Sequence, residues 1–192
     1  KQDPLRFEHD EFVKPTTTPE VLAKLRPAFR KEGGTVTAGN ASGLNDGAAA
    51  LLMANEQGMG QHGLEPLARM VSSAVVGVPP RIMGIGPVEA SKKALAKAGL
   101  GWDDVDVIEL NEAFAAQSLA CIRSWNLPDD DPRINPNGGA IALGHPLGMT
   151  GARILLSAAR QLRRTGGKHA LVTLCIGVGQ GYAAVIQNTS SS

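Results

Sequence analysis

Aromatic residues make up only 4% of the 192-residue chain. A core with so few large rings must be filled by Ala, Val, Leu and Ile, which suits helices packed closely on a sheet. Charge of one sign is also lacking. A formal net charge of +1 provides no basic field for nucleic acid, and Arg160, Arg163, Arg164 and Lys168 read as the exposed end of a helix. No apolar run is long enough to span a bilayer, so neither nucleic acid nor a membrane is expected as a partner. The front of the chain carries no secretory signal and no initiator Met, and its polar opening at Lys1 leads us to expect sequence upstream. There are two cysteines, Cys121 and Cys175. Cys121 reads as a helix core residue and Cys175 as a reactive one, so a reducing, cytoplasmic setting is expected rather than a disulfide. The two cysteines and four histidines form no metal-ligand spacing. What is present is 43% apolar residues against 19% charged, the balance of a globular chain.

Secondary structure follows from periodicity and punctuation. Thr17 or Thr18 is placed to cap a short helix over residues 20–25, with Pro19 at its first position. Strands are expected over residues 35–38, 67–78, 105–110, 170–174 and 182–187. Helices are expected over 46–57, 88–98, 112–125 and 150–165, the second of these stopped by Gly99. Strand and helix alternate and a hairpin closes the chain. The expected fold is α/β: a mixed, mostly parallel five-stranded sheet, helices on both faces and a terminal antiparallel hairpin.

Three runs carry chemistry. Asn111 stands at a strand-to-helix junction, where a helix N-cap is the plain reading. His145 lies in a stretch from Asn135 to Gly151 rich in glycine and proline, which brings one imidazole to the mouth of the sheet. It is suited to act as a base toward a thiol or as a donor to a developing oxyanion. Cys175 opens the run Cys175-Ile-Gly-Val-Gly-Gln-Gly181 at the end of a strand, where open α/β sheets place ligands. The glycines leave it backed by bare peptide and open to a substrate, half of a candidate thiol–imidazole pair. His62 and His169 are expected to face solvent. The run Met83-Gly84-Ile85-Gly86-Pro87 lacks the spacing of either nucleotide-binding glycine loop.

Together with Gly34-Thr-Val-Thr-Ala-Gly-Asn-Ala-Ser-Gly43, Asn111-Glu-Ala-Phe-Ala115 and Asn135-Pro-Asn-Gly-Gly-Ala-Ile-Ala-Leu-Gly-His-Pro146, the Cys175 run resembles the thiolase family. The order and approximate spacings match from about Asp3 to Ile186, and the wording over residues 81–88 and 129–153 looks most like thiolases acting on 3-oxoadipyl-CoA. The resemblance implies two-step acetyl transfer to or from coenzyme A. Coenzyme A and acetyl-CoA would be substrates, with no permanently bound cofactor. It implies that His145 activates a nucleophilic cysteine and helps form an oxyanion hole, and that Asn111 positions a water there. Cys175 matches the acid/base at the α-carbon of acetyl-CoA, and Gly177 a glycine whose N–H serves a second oxyanion hole. Ala38, Ser42, Leu44, Met83, Ala113 and Phe114 match positions lining the pantetheine channel.

One departure is large. The family's nucleophile lies in an N-terminal domain, in a cysteine-glycine-serine-glycine type run, and no such run occurs here. The chain therefore resembles the C-terminal half of a thiolase. Residues 1–33 would be a remnant of the inserted loop domain and linker, 34–188 the C-terminal domain, and 189–192 a disordered tail. The expected partner is an N-terminal half, separate or missing, with homo-oligomerisation when complete, and the chain alone should be inactive and expose an apolar face. The alternative is a catalytically dead domain serving as a binding module. Decarboxylating ketoacyl synthases share the logic but use two histidines around one cysteine, and a cysteine in the second position favours thiolase.

Overall fold

The computed structural model describes residues 6–189. Residues 1–5 and 190–192 of the expected remnant and tail lie outside the described residues. A four-stranded sheet in the order β1-β4-β3-β2 organises the described chain, with β1 Ala68–Gly77, β2 Val107–Leu110, β3 His169–Ile176 and β4 Gln180–Asn188. β2 pairs parallel with β3, whereas β3–β4 and β4–β1 are antiparallel. The sheet is mixed, as expected, but it has four strands rather than five and antiparallel pairs outnumber parallel ones. Two departures account for this. The hairpin strand β4 sits inside the sheet rather than at its edge, and residues 35–38 form no strand.

The failed strand has a local cause. Asn40 Oδ1 accepts the Thr37 N–H at 2.8 Å and its Nδ2 donates to the Thr35 carbonyl at 2.8 Å. One side chain thus takes backbone groups that a ladder would use. The Ala-rich helix expected over 46–57 is also absent. Residues 42–55 run without helix or strand until Asn55 caps α2, Glu56–His62, by accepting the Gly58 N–H. Tertiary tethers override Ala propensity there. The Gly43 carbonyl and Asn45 Oδ1 both accept the His145 N–H, and Gly47 lies against Pro146 and Met149.

Two helices cover opposite faces of the sheet. α3, Gly86–Ala98, carries Pro87 in its first turn and stops at Gly99 with φ +69°. It buries Ala90, Ala94 and Leu95 against Ala74, Val76, Ile108, Leu171 and Val185. α6, Thr150–Thr165, buries Ile154, Ala158 and Leu162 on the other face, against Val107, Ala170, Val172 and Ile186. The odd and even residues of β2, β3 and β4 sort between these clusters, as period-two alternation requires, and in β1 the bulge between Met70 and Ser72 reverses the phase, so that Ala68 joins the second cluster and Ala74 and Val76 the first. The core is aliphatic apart from a third cluster, where α4, Ala115–Ser124, packs Cys121 and Ile122 with Val88, Leu110 and Trp125. Cys121 is fully buried, as its mid-helix position predicts. The short α1, Pro19–Ala23, is capped by Thr18, whose hydroxyl accepts the Val21 N–H. α5, Ala140–Leu143, precedes the His145 loop.

Candidate active site

The site grows from the C-terminal ends of the parallel pair. β2 ends at Leu110, and the Asn111 N–H extends the ladder by donating to the Thr173 carbonyl of β3 at 3.0 Å. Cys175 is two residues further along the same strand, so both side chains leave the sheet at one end. Asn111 does not cap a helix: α4 begins at Ala115 behind Phe114, with no side-chain cap. Its side chain instead meets His145, with Nδ2 3.4 Å from Nε2. Asn111 is 1% exposed and its Oδ1 has no partner among the described residues. A buried polar atom left unpaired is costly, and such atoms concentrate at working sites.

His145 is held from three sides. Its backbone N–H donates to the Gly43 carbonyl at 3.0 Å and, more loosely, to Asn45 Oδ1 at 3.3 Å. The preceding Gly144 carbonyl accepts from Arg153 Nη1 at 2.9 Å. The ring Nδ1 lies 2.8 Å from the hydroxyl of Thr150 at the start of α6. Burial, and next the positive charge of Arg153, lower the His145 pKa and favour a neutral imidazole.

The loop carrying His145 is locked to β2. Asn135, at φ +46°, accepts the Leu110 N–H and returns a bond to the Leu110 carbonyl, both near 2.9 Å. The Glu112 carboxylate accepts from Asn135 Nδ2 at 3.0 Å and from the Ile141 N–H at 3.1 Å, seated against Gly139. A side chain there would collide with that carboxylate. Glu112 is thus an anchor between two motif runs rather than a first-turn charge complementing a helix.

The thiol differs from its expected setting. Cys175 is buried, at 7% exposure, and burial pushes its pKa up. Gly181, its partner on β4, is pressed against the Gly86 backbone at the start of α3, so the glycine closes the space behind the thiol rather than opening it. The open part of the run is the turn. Gly177 is exposed, and Val178 and Gly179 take φ of +69° and +91°. Cys175 and His145 share no hydrogen bond among the described residues. The imidazole pairs with Asn111 and Thr150, and Cys175 lies on the strand adjacent to the one that ends at Asn111. His169, expected in solvent, is buried at 9% exposure with Nδ1 3.1 Å from the Asp104 carbonyl, whereas His62 is exposed.

The expected channel positions divide. Ser42 and Ala113 join backbone to backbone, with the Ser42 N–H and hydroxyl both donating to the Ala113 carbonyl at 3.1 and 3.3 Å. Phe114 bridges to Ala41 and sets its ring edge-on to Phe29 at 5.7 Å. Met83 is half-buried in the kinked 3-10 stretch Pro80–Ile85, while Ala38 and Leu44 are exposed. Sequence reasoning passed over Thr150, Asn45, Arg153 and Asn135. Thr150 and Arg153 follow the motif run that ends at Pro146, Asn45 follows the one that ends at Gly43, and Asn45 acts across 100 residues of chain. No group of three or more His, Cys, Asp or Glu able to hold a metal ion occurs among the described residues. No helix among them is long and apolar enough to cross a membrane.

Comparison with known proteins decides the family. The thiolase C-terminal domain model matches residues 64–188 and the thiolase N-terminal domain model residues 1–57. The chain belongs to the thiolase family. It is 58% identical, over 94% of its length, to the 3-oxoadipyl-CoA/3-oxo-5,6-dehydrosuberyl-CoA thiolase of Escherichia coli K12, of which it covers 45%. It is 52% identical, over 97% of its length, to an acetyl-CoA acetyltransferase of Chromobacterium violaceum, of which it covers 47%. Among solved structures, the human mitochondrial 3-ketoacyl-CoA thiolase in complex with CoA superposes with a TM-score of 0.89 at 53% identity, over 96% of this chain and 46% of that one. The chain thus spans about half the length of the relatives it matches.

Proposed function

We propose that this chain supplies the C-terminal half of the active site of a thiolase. The reaction is acetyl transfer between a 3-oxoacyl-CoA and coenzyme A, of the 3-oxoadipyl-CoA type, and the nucleophilic cysteine comes from outside these 192 residues. The observation that carries this reading is the part-buried Asn111–His145 pair at the end of β2, beside Cys175 on β3, in a chain 58% identical to the E. coli thiolase. Neither cysteine here suits the nucleophile's role. Burial pushes the Cys121 thiol to about 12, with the thiol in contact with the Gly84 carbonyl inside the core, and Cys175 is the position that matches the proton carrier.

The chemistry balances with these roles. His145 Nε2 takes the proton of the external thiol as its sulfur attacks the acetyl-CoA carbonyl; the coenzyme A sulfur leaves with the proton of Cys175, and an acetyl thioester and a Cys175 thiolate remain. The resulting imidazolium donates its Nε2–H toward the developing oxyanion, with Asn111 ordering the same hole. In the second step the Cys175 thiolate removes a proton from the α-carbon of an acyl-CoA. The carbanion attacks the thioester, and the external sulfur leaves, taking its proton back from His145. A pKa raised by burial makes that thiolate a stronger base and keeps the resting thiol protonated. Gly177, exposed in the turn, is the candidate second oxyanion donor; Ala38, Ser42, Leu44, Met83, Ala113 and Phe114 are the candidate pantetheine contacts. Exposed Leu44, Leu52, Met53 and Leu147 support a face covered by the remaining half and by copies of the enzyme. Both cysteines are free, which supports a reducing, cytoplasmic setting.

The test is thiolysis of acetoacetyl-CoA and 3-oxoadipyl-CoA by the chain alone and together with a thiolase N-terminal half. We expect activity only in the combination, with preference for 3-oxoadipyl-CoA. In that combination Cys175→Ser should abolish condensation yet still allow acetylation of the nucleophile. Condensation that persists in the variant would remove Cys175 from the mechanism.

A further inference from the structure

We infer that Thr150 is the positioning residue that sets the tautomer of His145, holding the proton on Nδ1 so that Nε2 faces Asn111 as a lone pair. Two bonds meet at the Thr150 hydroxyl. Its Oγ1 lies 2.9 Å from the Pro146 carbonyl and 2.8 Å from His145 Nδ1. A carbonyl oxygen only accepts, so a hydroxyl at that distance spends its single proton there. The hydroxyl then has lone pairs to offer Nδ1, and Nδ1 must carry the hydrogen. The ring's other nitrogen is left as an acceptor, in agreement with the Asn111 amide group at 3.4 Å.

A competing network can be written, in which the Thr150 hydroxyl donates to Nδ1 and Nε2–H donates to Asn111 Oδ1. It would satisfy the unpaired Asn111 oxygen. It would also leave two acceptor oxygens, Thr150 Oγ1 and the Pro146 carbonyl, facing each other at 2.9 Å with no proton between them. Thr150 is fully buried, so water cannot relieve that repulsion. The peptide that carries the ring is tied through both of its polar groups, the His145 N–H to Gly43 and the Gly144 carbonyl to Arg153.

The consequence rests on the function proposed above. A base that must take a thiol proton at Nε2 needs that nitrogen unprotonated at rest, and the partner on the other nitrogen decides this. Holding the wrong tautomer can cost a histidine-dependent enzyme several powers of ten in rate.

The tautomer is measured directly by long-range ¹H–¹⁵N correlation spectra of the imidazole, on this chain without substrate, with His145→Gln to assign the signals. We expect a neutral Nδ1–H ring in the wild type and in Thr150→Ser, which keeps the hydroxyl. Thr150→Val should move the population toward Nε2–H by roughly tenfold, the scale of one lost hydrogen bond. An Nε2–H ring in the wild type, or an unchanged ring in Thr150→Val, overturns the assignment. If Thr150→Val does not fold, wild type and Thr150→Ser decide: Nδ1–H in both upholds it and Nε2–H in either overturns it. Failure of thiolysis would count against the proposed function alone, since the tautomer is read without turnover.

Discussion

Glu109 occupies the middle of β2, 3% exposed, with Oε1 unpartnered among the described residues. Strand alternation puts it on the same face as Val107, beneath α6. Burial raises its pKa from 4.5 to about 7; the charge of Arg153 on α6 opposes the rise and that of Glu112 adds to it. No ion pair within 4.0 Å relieves it among the described residues. The native pKa lies above the unfolded one, which fixes the sign. Below about pH 4.5 both states hold the proton and Glu109 has no effect. Between about 4.5 and 7 the unfolded chain releases the proton while the native chain keeps it, so stability falls as pH rises. Above about 7 both are ionised and the loss is complete. At about 1.4 kcal/mol per pH unit it amounts to about 3 kcal/mol. Glu109→Gln is neutral at every pH and should lack this fall. The assay is urea unfolding of both proteins from pH 4.5 to 8, followed by circular dichroism. At about 2 kcal/mol per molar urea, the gap between their midpoints should change by roughly 1.5 M across that range, in favour of the variant at high pH. Any cost of seating an amide there shifts the variant equally at all pH values. Midpoints that run parallel from pH 4.5 to 8 would refute the reasoning and show that Glu109 is ionised in the fold.

Gly181→Ala should destabilise by about 1–3 kcal/mol or more, since its Cβ would meet the Gly86 backbone, which cannot rotate aside; the urea midpoint reads it. Gly60→Ala, in α2 with open space around it, is the control and should gain up to about 1 kcal/mol. Both thiols should react slowly with Ellman's reagent in the native chain, Cys175 before Cys121, because Cys175 is 7% exposed and Cys121 is 0% exposed. With Cys121 near 12, about one molecule in ten thousand is ionised there at pH 8. Immediate reaction of both thiols without denaturant would contradict this burial.

Elements with a strong period and clear punctuation were legible from residues alone. α3, with Pro87 in its first turn and Gly99 after its end, and α6, with its apolar stripe and closing Gly166, match their expected spans closely. The β3–β4 hairpin was legible from its glycines. What failed was set by contacts distant in sequence. Residues 46–57 have the composition of a helix, but Asn45 and Gly47 are committed to the His145 loop some hundred positions away. Residues 35–38 have the composition of a strand, but Asn40 folds back on them. The site shows the same division. Asn111 and His145 belong to recognisable runs and do meet, while Thr150 looked like an ordinary first residue of a helix. Its role exists only because α6 starts one turn beyond the imidazole.

Where each polar group can be held explains the layout of the site. Asn111, Thr150 and Cys175 are each under 10% exposed, and each is tied to a strand end or a helix start. Gly177, Ala38 and Leu44 are exposed on loops. Orienting a proton acceptor to within a fraction of an ångström requires neighbours whose own positions are fixed by ladders and packing. Gripping a long, flexible substrate arm does not, and loops on a rigid scaffold serve it. In the proposed function the parallel pair β2–β3 would bear the proton chemistry, and Asn135 and Glu112 bolt the imidazole loop to its end. The exposed positions face outward from that frame. Under the proposed function the reacting carbonyl sits between the Asn111–His145 wall and whatever carries the attacking sulfur, so the separation of those two bodies sets the geometry of acyl transfer.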